Sequence, residues 1–311
     1  MGTPEFAEYS LRKLVEGGFN VVGVVTVPDK PIGRHGSVLQ PSPVKQYALS
    51  CGLPVLQPDK LKDPDFLTSL RELQADLQIV VAFRMLPEEV WAMPRLGTFN
   101  LHASLLPEYR GAAPINWAVI NGERETGVTT FFLQHDIDTG DIIDQVRVPV
   151  GDDDDAGVVH DRLMETGAEL LLKTADSVIN GNATSYPQPV LSDVCYAPKI
   201  FKDTCRIDWN SDAAVIKNRV RGLSPYPAAW SVLHLADGTA VDFKIFKVSV
   251  SGKSDGMAPG SVMTDGKTYM DVAAADGLCV RLVEVQMAGK KRMPVQAFLC
   301  GTHLTDECRF E

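Results

Sequence analysis

Three polar side chains of types suited to acyl-group transfer lie in one region of the sequence: Asn100, His102 and, farther on, Asp138. A histidine can take up and release a proton near neutral pH. A carboxylate can orient the imidazole ring and raise its pKa. An amide can donate to a developing oxyanion, and removing such a donor costs roughly 3 kcal/mol. Together the three residue types predict acyl transfer.

No obvious enzyme nucleophile accompanies them. The sequence has no G-x-S-x-G motif, and no serine or cysteine occupies a predicted nucleophile turn. This favours direct attack by a bound nucleophile over a covalent acyl-enzyme. Spacing alone leaves an alternative open, because a histidine on a strand is often structural and Asp138 before Gly140 could form only a turn.

The first two of these residues lie on a predicted strand, Thr98–His102. Successive side chains of a strand point to opposite faces, so Asn100 and His102 share one face and Leu101 points into the protein. The strand runs into the polar segment Ser104–Gly111. Ligands bind at the carboxyl ends of strands in open α/β sheets, which places a candidate site here.

Helical and strand patterns alternate through the first half of the chain. Glu5–Glu16 has helical spacing, whereas Val21–Val27 and Leu77–Phe83 are apolar, β-rich runs. This order predicts a Rossmann-like parallel sheet wrapped by helices, an α/β fold. Gly2-Thr3-Pro4 resembles the turn that follows an opening strand, so we expect that strand to be absent from the sequence.

The pattern changes after a long predicted helix, Val158–Ile179, which Gly181 ends. The following residues are rich in proline and lack periodicity, as a linker does. Short strands then alternate with Asp-Gly turns, which predicts a small OB-like β-barrel. We therefore expect a catalytic domain at residues 1–182, a linker at 183–203 and a C-terminal β-barrel domain at 204–311.

Composition limits the class of protein. Of the 311 residues 45% are hydrophobic and 23% charged, which is typical of a globular protein. The net charge of −10 argues against a nonspecific nucleic-acid binder but leaves room for a local basic patch. The acidic run Asp152–Asp155 is interpreted as a solvated loop.

Several absences lead to further expectations. There is no apolar run of about 18 residues, which predicts no membrane contact, and no secretory signal. The six cysteines form no C-x-x-C pair, so we expect reduced thiols and no zinc site. We expect a cytoplasmic protein, and with no sign of an obligate oligomer we expect a monomer.

The polar segments together resemble the signature of the folate-dependent formyltransferases. The similarity is carried by Asn100–Arg110, Gly111–Ile115 and Asp138–Asp141. It extends over essentially the whole chain. Further similar segments are Met1–Phe6, Pro28–Arg34, Pro41–Lys45, Arg206–Trp209 and Ser224–Trp230. The resemblance implies that Asn100, His102 and Asp138 are catalytic.

The same resemblance implies the substrates. The formyl donor would be 10-formyltetrahydrofolate, without a metal, and the acceptor would be the amine of methionine on initiator methionyl-tRNA. The residues expected to bind folate are Phe83, Met85, Leu86, Ser104, Leu105, Leu106 and Pro107. The basic residues expected to contact tRNA are Lys30 and Arg34 in the loop Pro28–Lys45, and Lys199, Lys202, Lys290 and Arg292 farther on.

Three alternatives are weighed against this hypothesis. A formyltransferase acting on a sugar-nucleotide or purine-pathway amine shares the chemistry, but the Pro28–Lys45 loop and the barrel-like tail favour tRNA. A nicotinamide-dependent oxidoreductase is disfavoured because no G-x-G-x-x-G follows a strand. A noncatalytic RNA-binding module would leave Asn100, His102 and Asp138 without a role.

Overall fold

The computed structural model describes residues 1–32, 38–302, 304–305 and 307–311, and the chain in it forms two compact units. The first unit consists of Met1–Gly111, Thr126–Val148 and Asp161–Tyr196. The second consists of Ala112–Glu125, Pro149–His160 and Ala197–Glu311.

The helices are α1 (Glu5–Glu16), α2 (Pro43–Ser50), α3 (Pro64–Glu72), α4 (Glu88–Trp91), α5 (Pro114–Ile120), α6 (Ala156–Ile179), α7 (Ala213–Leu223) and α8 (Val295–Cys300). The strands before residue 200 are β1 (Val24–Val25), β2 (Lys30–Ile32), β3 (Val38–Gln40), β4 (Val55–Leu56), β5 (Gln78–Val81), β6 (Thr98–His102), β7 (Arg110–Gly111), β8 (Glu125–Phe132), β9 (Ile142–Pro149) and β10 (Tyr196–Ala197). The later strands are β11 (Ala229–His234), β12 (Ala240–Lys253), β13 (Val262–Thr264), β14 (Met270–Ala273), β15 (Leu278–Met287), β16 (Met293–Pro294) and β17 (Arg309–Phe310).

The sheet of the first unit confirms the predicted α/β class. Strands β5 and β6 pair in parallel, with Val80 opposite Asn100, and β1 pairs in parallel with β4. On its other side β6 pairs antiparallel with β8, which β9 follows in the sheet. Helix α3 is capped by its local sequence: Asp63 accepts hydrogen bonds from the N–H groups of Asp65 and Phe66 at the start of the helix.

The expected long strand at Val21–Val27 is only two residues long. Its neighbours explain this, because Met1 and Gly2 lie between β1 and β5: the Gly2 N–H donates to Val25 O at 3.1 Å, and the Val81 N–H donates to Met1 O at 2.9 Å. A cavity of about 530 Å³ adjoins these residues, lined mainly by apolar side chains of β1, β5 and the surrounding helices. The buried amino group of Met1 donates to Ile79 O at 2.6 Å, and burial lowers its pKa to about 5.

The second unit contains the antiparallel barrel that the short strands predict. The strand order is β13-β14-β15-β12-β11-β17, with β16 beside β15. Ser261 and Arg309 form an antiparallel bridge, and Phe310 N–H donates to Gly260 O at 2.8 Å, so the two ends of the sheet nearly close. Phe243, Ile245 and Leu282 are fully buried inside it. This confirms the predicted barrel.

The acidic run Asp152–Asp155 stabilises the start of α6. Asp155 accepts from the Val158 N–H at 2.9 Å, and Asp154 accepts from the Gly151 N–H at 2.8 Å. Arg221 donates to the carbonyl oxygens of Gly151 and Asp154. Burial lowers the pKa of the Arg221 guanidinium, while the neighbouring aspartates oppose that shift. Asp155 therefore caps α6, and Asp154 closes the turn that precedes the helix.

Three general features concern the described residues only. None of their helices combines the length and apolar character that a membrane crossing requires. Among the same residues no three His, Cys, Asp or Glu side chains converge as metal ligands. All six cysteines are free thiols.

Candidate active site

The packing and pairing of strand β6 fix the positions of Asn100 and His102. Its Phe99 and Leu101 are buried, and a side chain on Gly167 of α6 would approach the Leu101 Cδ2 to 3.1 Å, so helix and strand pack closely at this glycine. Backbone pairing with β5 and β8 holds the strand on both edges. Asn100 and His102 therefore share the opposite face, as the alternation predicts.

His102 is 6% exposed and has two defined neighbours. Its Nε2 lies 2.9 Å from the carbonyl oxygen of Tyr109, and its Nδ1 lies 3.9 Å from Asp138 Oδ2. A carbonyl oxygen can only accept, so Nε2 carries a proton. The distance from Nδ1 to Asp138 Oδ2 exceeds that of a hydrogen bond, so Nδ1 faces the carboxylate without being bonded to it.

Asp138 reaches His102 through an unusual backbone conformation. Its φ is +54°, in the left-handed region that non-glycine residues rarely adopt. Its Oδ2 accepts a hydrogen bond from the Gly111 N–H at 3.0 Å. Two residues later Gly140 leaves no space for a side chain, since a Cβ there would lie 1.7 Å from Phe132 O. The turn is therefore held close against β8.

The neighbouring Asp136 differs from Asp138. Its side chain is exposed, and its carbonyl oxygen accepts from the Thr139 hydroxyl at 3.1 Å. Asp136 therefore takes part in the hydrogen bonding of the turn itself.

The side-chain amide of Asn100 is not fully hydrogen-bonded. Its Oδ1 is buried and has no hydrogen-bond partner among the described residues. A buried amide oxygen without a partner costs free energy, so its presence beside His102 points to a group that a ligand supplies. Since O and N of an amide can exchange by a flip, the same position can present a donor to a ligand oxygen.

The loop Ser104–Pro107, which is expected to contact folate, is held by hydrogen bonds from strands β8 and β9. Thr129 Oγ1 donates to Ser104 O at 2.6 Å and accepts from the Leu106 N–H at 3.2 Å. Gln145 Nε2 donates to both Thr129 Oγ1 and Leu106 O, at 2.9 and 3.0 Å. Sequence reasoning missed Thr129 and Gln145, because ordinary polar residues on strands carry no signal of a long-range bond.

Most side chains of that loop face the protein. Ser104, Leu106 and Pro107 are buried, and Ser104 Oγ donates to Glu108 O at 2.6 Å. Leu105 lies against Gly127, where an added Cβ would come within 2.5 Å of the leucine. The loop would therefore meet a ligand chiefly through its backbone.

The second segment expected to contact folate follows β5. The chain turns at Ala82, which has a φ of +46°. Leu86 is buried and Phe83 packs partly against the same apolar cluster, whereas Met85 is 69% exposed. Because β5 and β6 are adjacent and parallel, this segment and the Ser104–Pro107 loop leave the same edge of the sheet.

The basic residues expected to contact tRNA have different surroundings. Lys30 and Lys290 are exposed, whereas Arg292 donates to Glu284 at 2.6 Å and covers the Phe246 ring. Lys199 and Lys202 lie over the rings of Phe201 and Trp230, respectively. Arg34 lies outside the described residues.

Comparison with known proteins finds relatives along nearly the whole chain. The profile of the family described as formyl transferase matches residues 1–175, and the profile of the formyl transferase C-terminal domain matches residues 199–303. The methionyl-tRNA formyltransferase of Parabacteroides distasonis is 62% identical over 305 residues, 97% of this chain and 94% of the relative. That of Phocaeicola vulgatus is 61% identical over 315 residues, 100% of this chain and 97% of the relative.

Solved structures share the fold at low sequence identity. The sugar 3N-formyl transferase WlaRD, solved with dTDP and 5-N-formyl-THF, has a TM-score of 0.65 at 21% identity, covering 93% of this chain and 97% of its own. HypX from Aquifex aeolicus, solved with tetrahydrofolic acid, has a TM-score of 0.57 at 22% identity, covering 81% and 43%. From the two profile matches and the highly identical relatives, the chain belongs to the formyltransferase family.

Proposed function

We propose that this chain transfers the formyl group of 10-formyltetrahydrofolate to the amino group of methionine on initiator tRNA, giving N-formylmethionyl-tRNA. The identity of about 60% with methionyl-tRNA formyltransferases over nearly the full chain supports the acceptor. The observation that carries the chemistry is the cluster of Asn100, His102 and Asp138, with Nδ1 of the histidine facing the carboxylate.

The donor site is consistent with a folate. The unpartnered Asn100 Oδ1 needs a ligand group, and two backbone segments leave the sheet beside it. The solved neighbours that hold folate derivatives share this fold, which supports folate as the donor class. When bound, the folate would supply the formyl carbon that the methionine amine attacks, with a new C–N bond replacing the one to folate.

The chain's own residues would act on charge and protons. The Asn100 amide and the Nδ1–H of a protonated His102 would stabilise the negative charge that develops on the formyl oxygen. The Asp138 carboxylate, 3.9 Å from Nδ1, would accept the proton that the attacking amine loses. His102 would donate its Nδ1 proton to the departing folate nitrogen, and the proton that Asp138 took from the amine would then restore the protonated ring.

Positioning is the other expected contribution. The braces on the Ser104–Pro107 loop and the turn at Asp138 hold the site in one geometry. Correct placement of two reactants can supply roughly 7–11 kcal/mol of the barrier reduction. No step of this mechanism requires a metal ion.

We place the reaction in the cytoplasm, because its acceptor belongs to translation, and we expect a monomer. The tRNA would contact Lys30, Arg34, Lys199, Lys202, Lys290 and Arg292.

The test is a formyl-transfer assay with four acceptors: initiator methionyl-tRNA, elongator methionyl-tRNA, free methionine and a nucleotide-linked amino sugar. Product with the initiator tRNA, and far less with the others, supports the proposal. Product only with the amino sugar would replace it by the sugar-nucleotide alternative. His102→Asn serves as the control for background transfer.

A further inference from the structure

Two residues that contact His102 share a rare backbone conformation. Tyr109, whose carbonyl oxygen accepts from Nε2, has a φ of +58°, and Asp138, which faces Nδ1, has a φ of +54°. For residues other than glycine this region is strained by about 1–3 kcal/mol, so it persists only where the surroundings hold it. Neighbouring residues must therefore hold Tyr109 and Asp138 in this conformation.

The segment Tyr186–Tyr196, which lies within the predicted linker, contacts both. Cys195 O accepts from the Tyr109 N–H at 2.6 Å. Gln188 Nε2 donates to Asp138 O and to Gly140 O, both at 2.9 Å. One glutamine side chain thus joins the two ends of the turn that presents Asp138 to His102.

The orientation of the Gln188 amide is fixed from the other side. Arg110 donates to Gln188 Oε1 from Nε at 3.2 Å and from Nη2 at 2.5 Å. A guanidinium has no acceptor, so it selects the amide oxygen and turns Nε2 toward the Asp138 turn. All four hydrogen bonds of the amide are therefore mutually consistent.

The backbone around Gln188 is also restricted. Pro187 and Pro189 flank it, and a proline fixes its own φ and keeps the preceding residue extended. Tyr186 pairs with Ile142 by two hydrogen bonds, of 2.8 and 3.0 Å, which anchors the segment just before Gln188. Gln188 is half-buried although its neighbours are exposed.

We propose that Gln188 is a positioning residue for the formyl transfer, which acts by holding the Asp138 carboxylate opposite His102. This rests on the proposed function, since it assigns a role within the same site. Gln188 does not touch the reacting atoms; its effect passes through the backbone of the Asp138 turn. Arg110 supports it by fixing the amide.

The kinetic test compares three variants. Gln188→Met keeps the length of the side chain but loses all four hydrogen bonds, and Gln188→Glu keeps the acceptor for Arg110 but loses both donors. We expect both to lower kcat by about 10- to 100-fold, as a small misplacement of a catalytic group does, with KM for the folate nearly unchanged. The matched control is Gln46→Met, since the Gln46 side chain is exposed and donates to Pro41 O at the start of its own helix.

A second measurement does not depend on activity. The Gly111 N–H donates to Asp138 Oδ2, so its hydrogen-exchange rate, followed by NMR, reports the position of that carboxylate. We expect faster exchange at Gly111 in both Gln188 variants, with unchanged exchange in the buried strand β8. Gln46→Met should leave both rates as in the unmodified chain.

The outcomes separate the two proposals. Unchanged Gly111 exchange, or a Gln188→Glu variant with full kcat, would overturn the role of Gln188. Faster exchange throughout the first unit would also overturn it, because Gln188 would then stabilise the fold generally. If the unmodified chain formylates no acceptor while Gly111 exchange responds as expected, the proposed function fails but the placement of Asp138 by Gln188 stands.

Discussion

The Nδ1 of His102 lies 3.9 Å from the Oδ2 of Asp138, while the Nε2 of the same ring donates to the Tyr109 carbonyl oxygen. The hydrogen bond from Nε2 fixes the orientation of the ring. The longer contact at Nδ1 leaves that nitrogen available beside the negative charge of Asp138. This arrangement allows a proton at Nδ1 to serve a bound ligand, because no protein acceptor lies within hydrogen-bond distance of it among the described residues. The mechanism proposed above depends on this relationship.

The charge of Asp138 can be tested without changing its shape. Asp138→Asn retains an oxygen that can accept from the Gly111 N–H, but loses the carboxylate that would accept the proton of the attacking amine. We expect kcat to fall by about 10²- to 10⁴-fold, with a small change in KM for the folate. Steady-state kinetics with initiator methionyl-tRNA measures this. The exposed Asp136→Asn is the matched control, and an equal loss in both variants would contradict a specific role of Asp138.

Substitution of Asn100 should lower activity without lowering stability. Asn100→Leu removes a buried oxygen that lacks a partner, so we expect the free energy of unfolding to stay the same or rise. We expect kcat to fall by about 10²- to 10³-fold, since a donor to the developing oxyanion is lost. Urea denaturation and steady-state kinetics measure the two effects.

The control for that experiment is Asn116→Leu. Asn116 Nδ2 donates to Gly222 O at 2.7 Å, so its loss should destabilise the chain while kcat is retained. If Asn100→Leu is strongly destabilised instead, its Oδ1 has a partner in solution and the argument for a ligand group fails.

Gly167 tests the packing beneath the site. Gly167→Ala should be nearly neutral, because the close approach to Leu101 offsets a gain of about 1 kcal/mol in helix propensity. Gly167→Val overfills the same contact, and we expect it to lower the free energy of unfolding by about 1–3 kcal/mol. It should also lower kcat, because Leu101 lies between Asn100 and His102. Equal stability of the two variants in urea denaturation would show that the helix can move away without cost.

Lys290 tests the expected contact with tRNA. It is exposed, and a lysine that contacts a phosphate contributes through released counterions. We expect Lys290→Ala to weaken tRNA binding and to reduce the slope of log K against log salt by about 1, with kcat at saturating tRNA unchanged. Binding is measured by titration at several salt concentrations. Lys267→Ala, an exposed lysine in another turn, is the control, and identical slopes for the two variants would remove Lys290 from the interface.

Local pattern determined much of the fold. Glu5–Glu16 and Thr98–His102 have the same bounds in the structure as in the sequence-based prediction. The helical period and the strand alternation record which face each element buries, so they can be read without tertiary information. The Asp-Gly turns were equally local: Gly238, Gly266 and Gly277 all have positive φ, which suits those positions.

Elements that depend on distant partners were less predictable. Val21–Val27 looked like a full strand, yet only Val24–Val25 pairs with β4. Strand length depends on which backbone groups find partners across the sheet, and composition does not contain that information. The short helix α8 and strand β17 were missed for the same reason, since α8 packs Val295 and Phe298 into the barrel core and β17 pairs with the distant strand β11.

For the site, the sequence by itself determined that Asn100 and His102 share a face, and the family resemblance added Asp138. Only the tertiary structure decided that Asp138 and Tyr109 meet the two ring nitrogens of His102, and that Gln188 and Arg110 hold the turn in place. The physical reason is that alternation along a strand is a local property of the backbone. Left-handed turns and hydrogen bonds between distant segments arise only when packing brings those segments together.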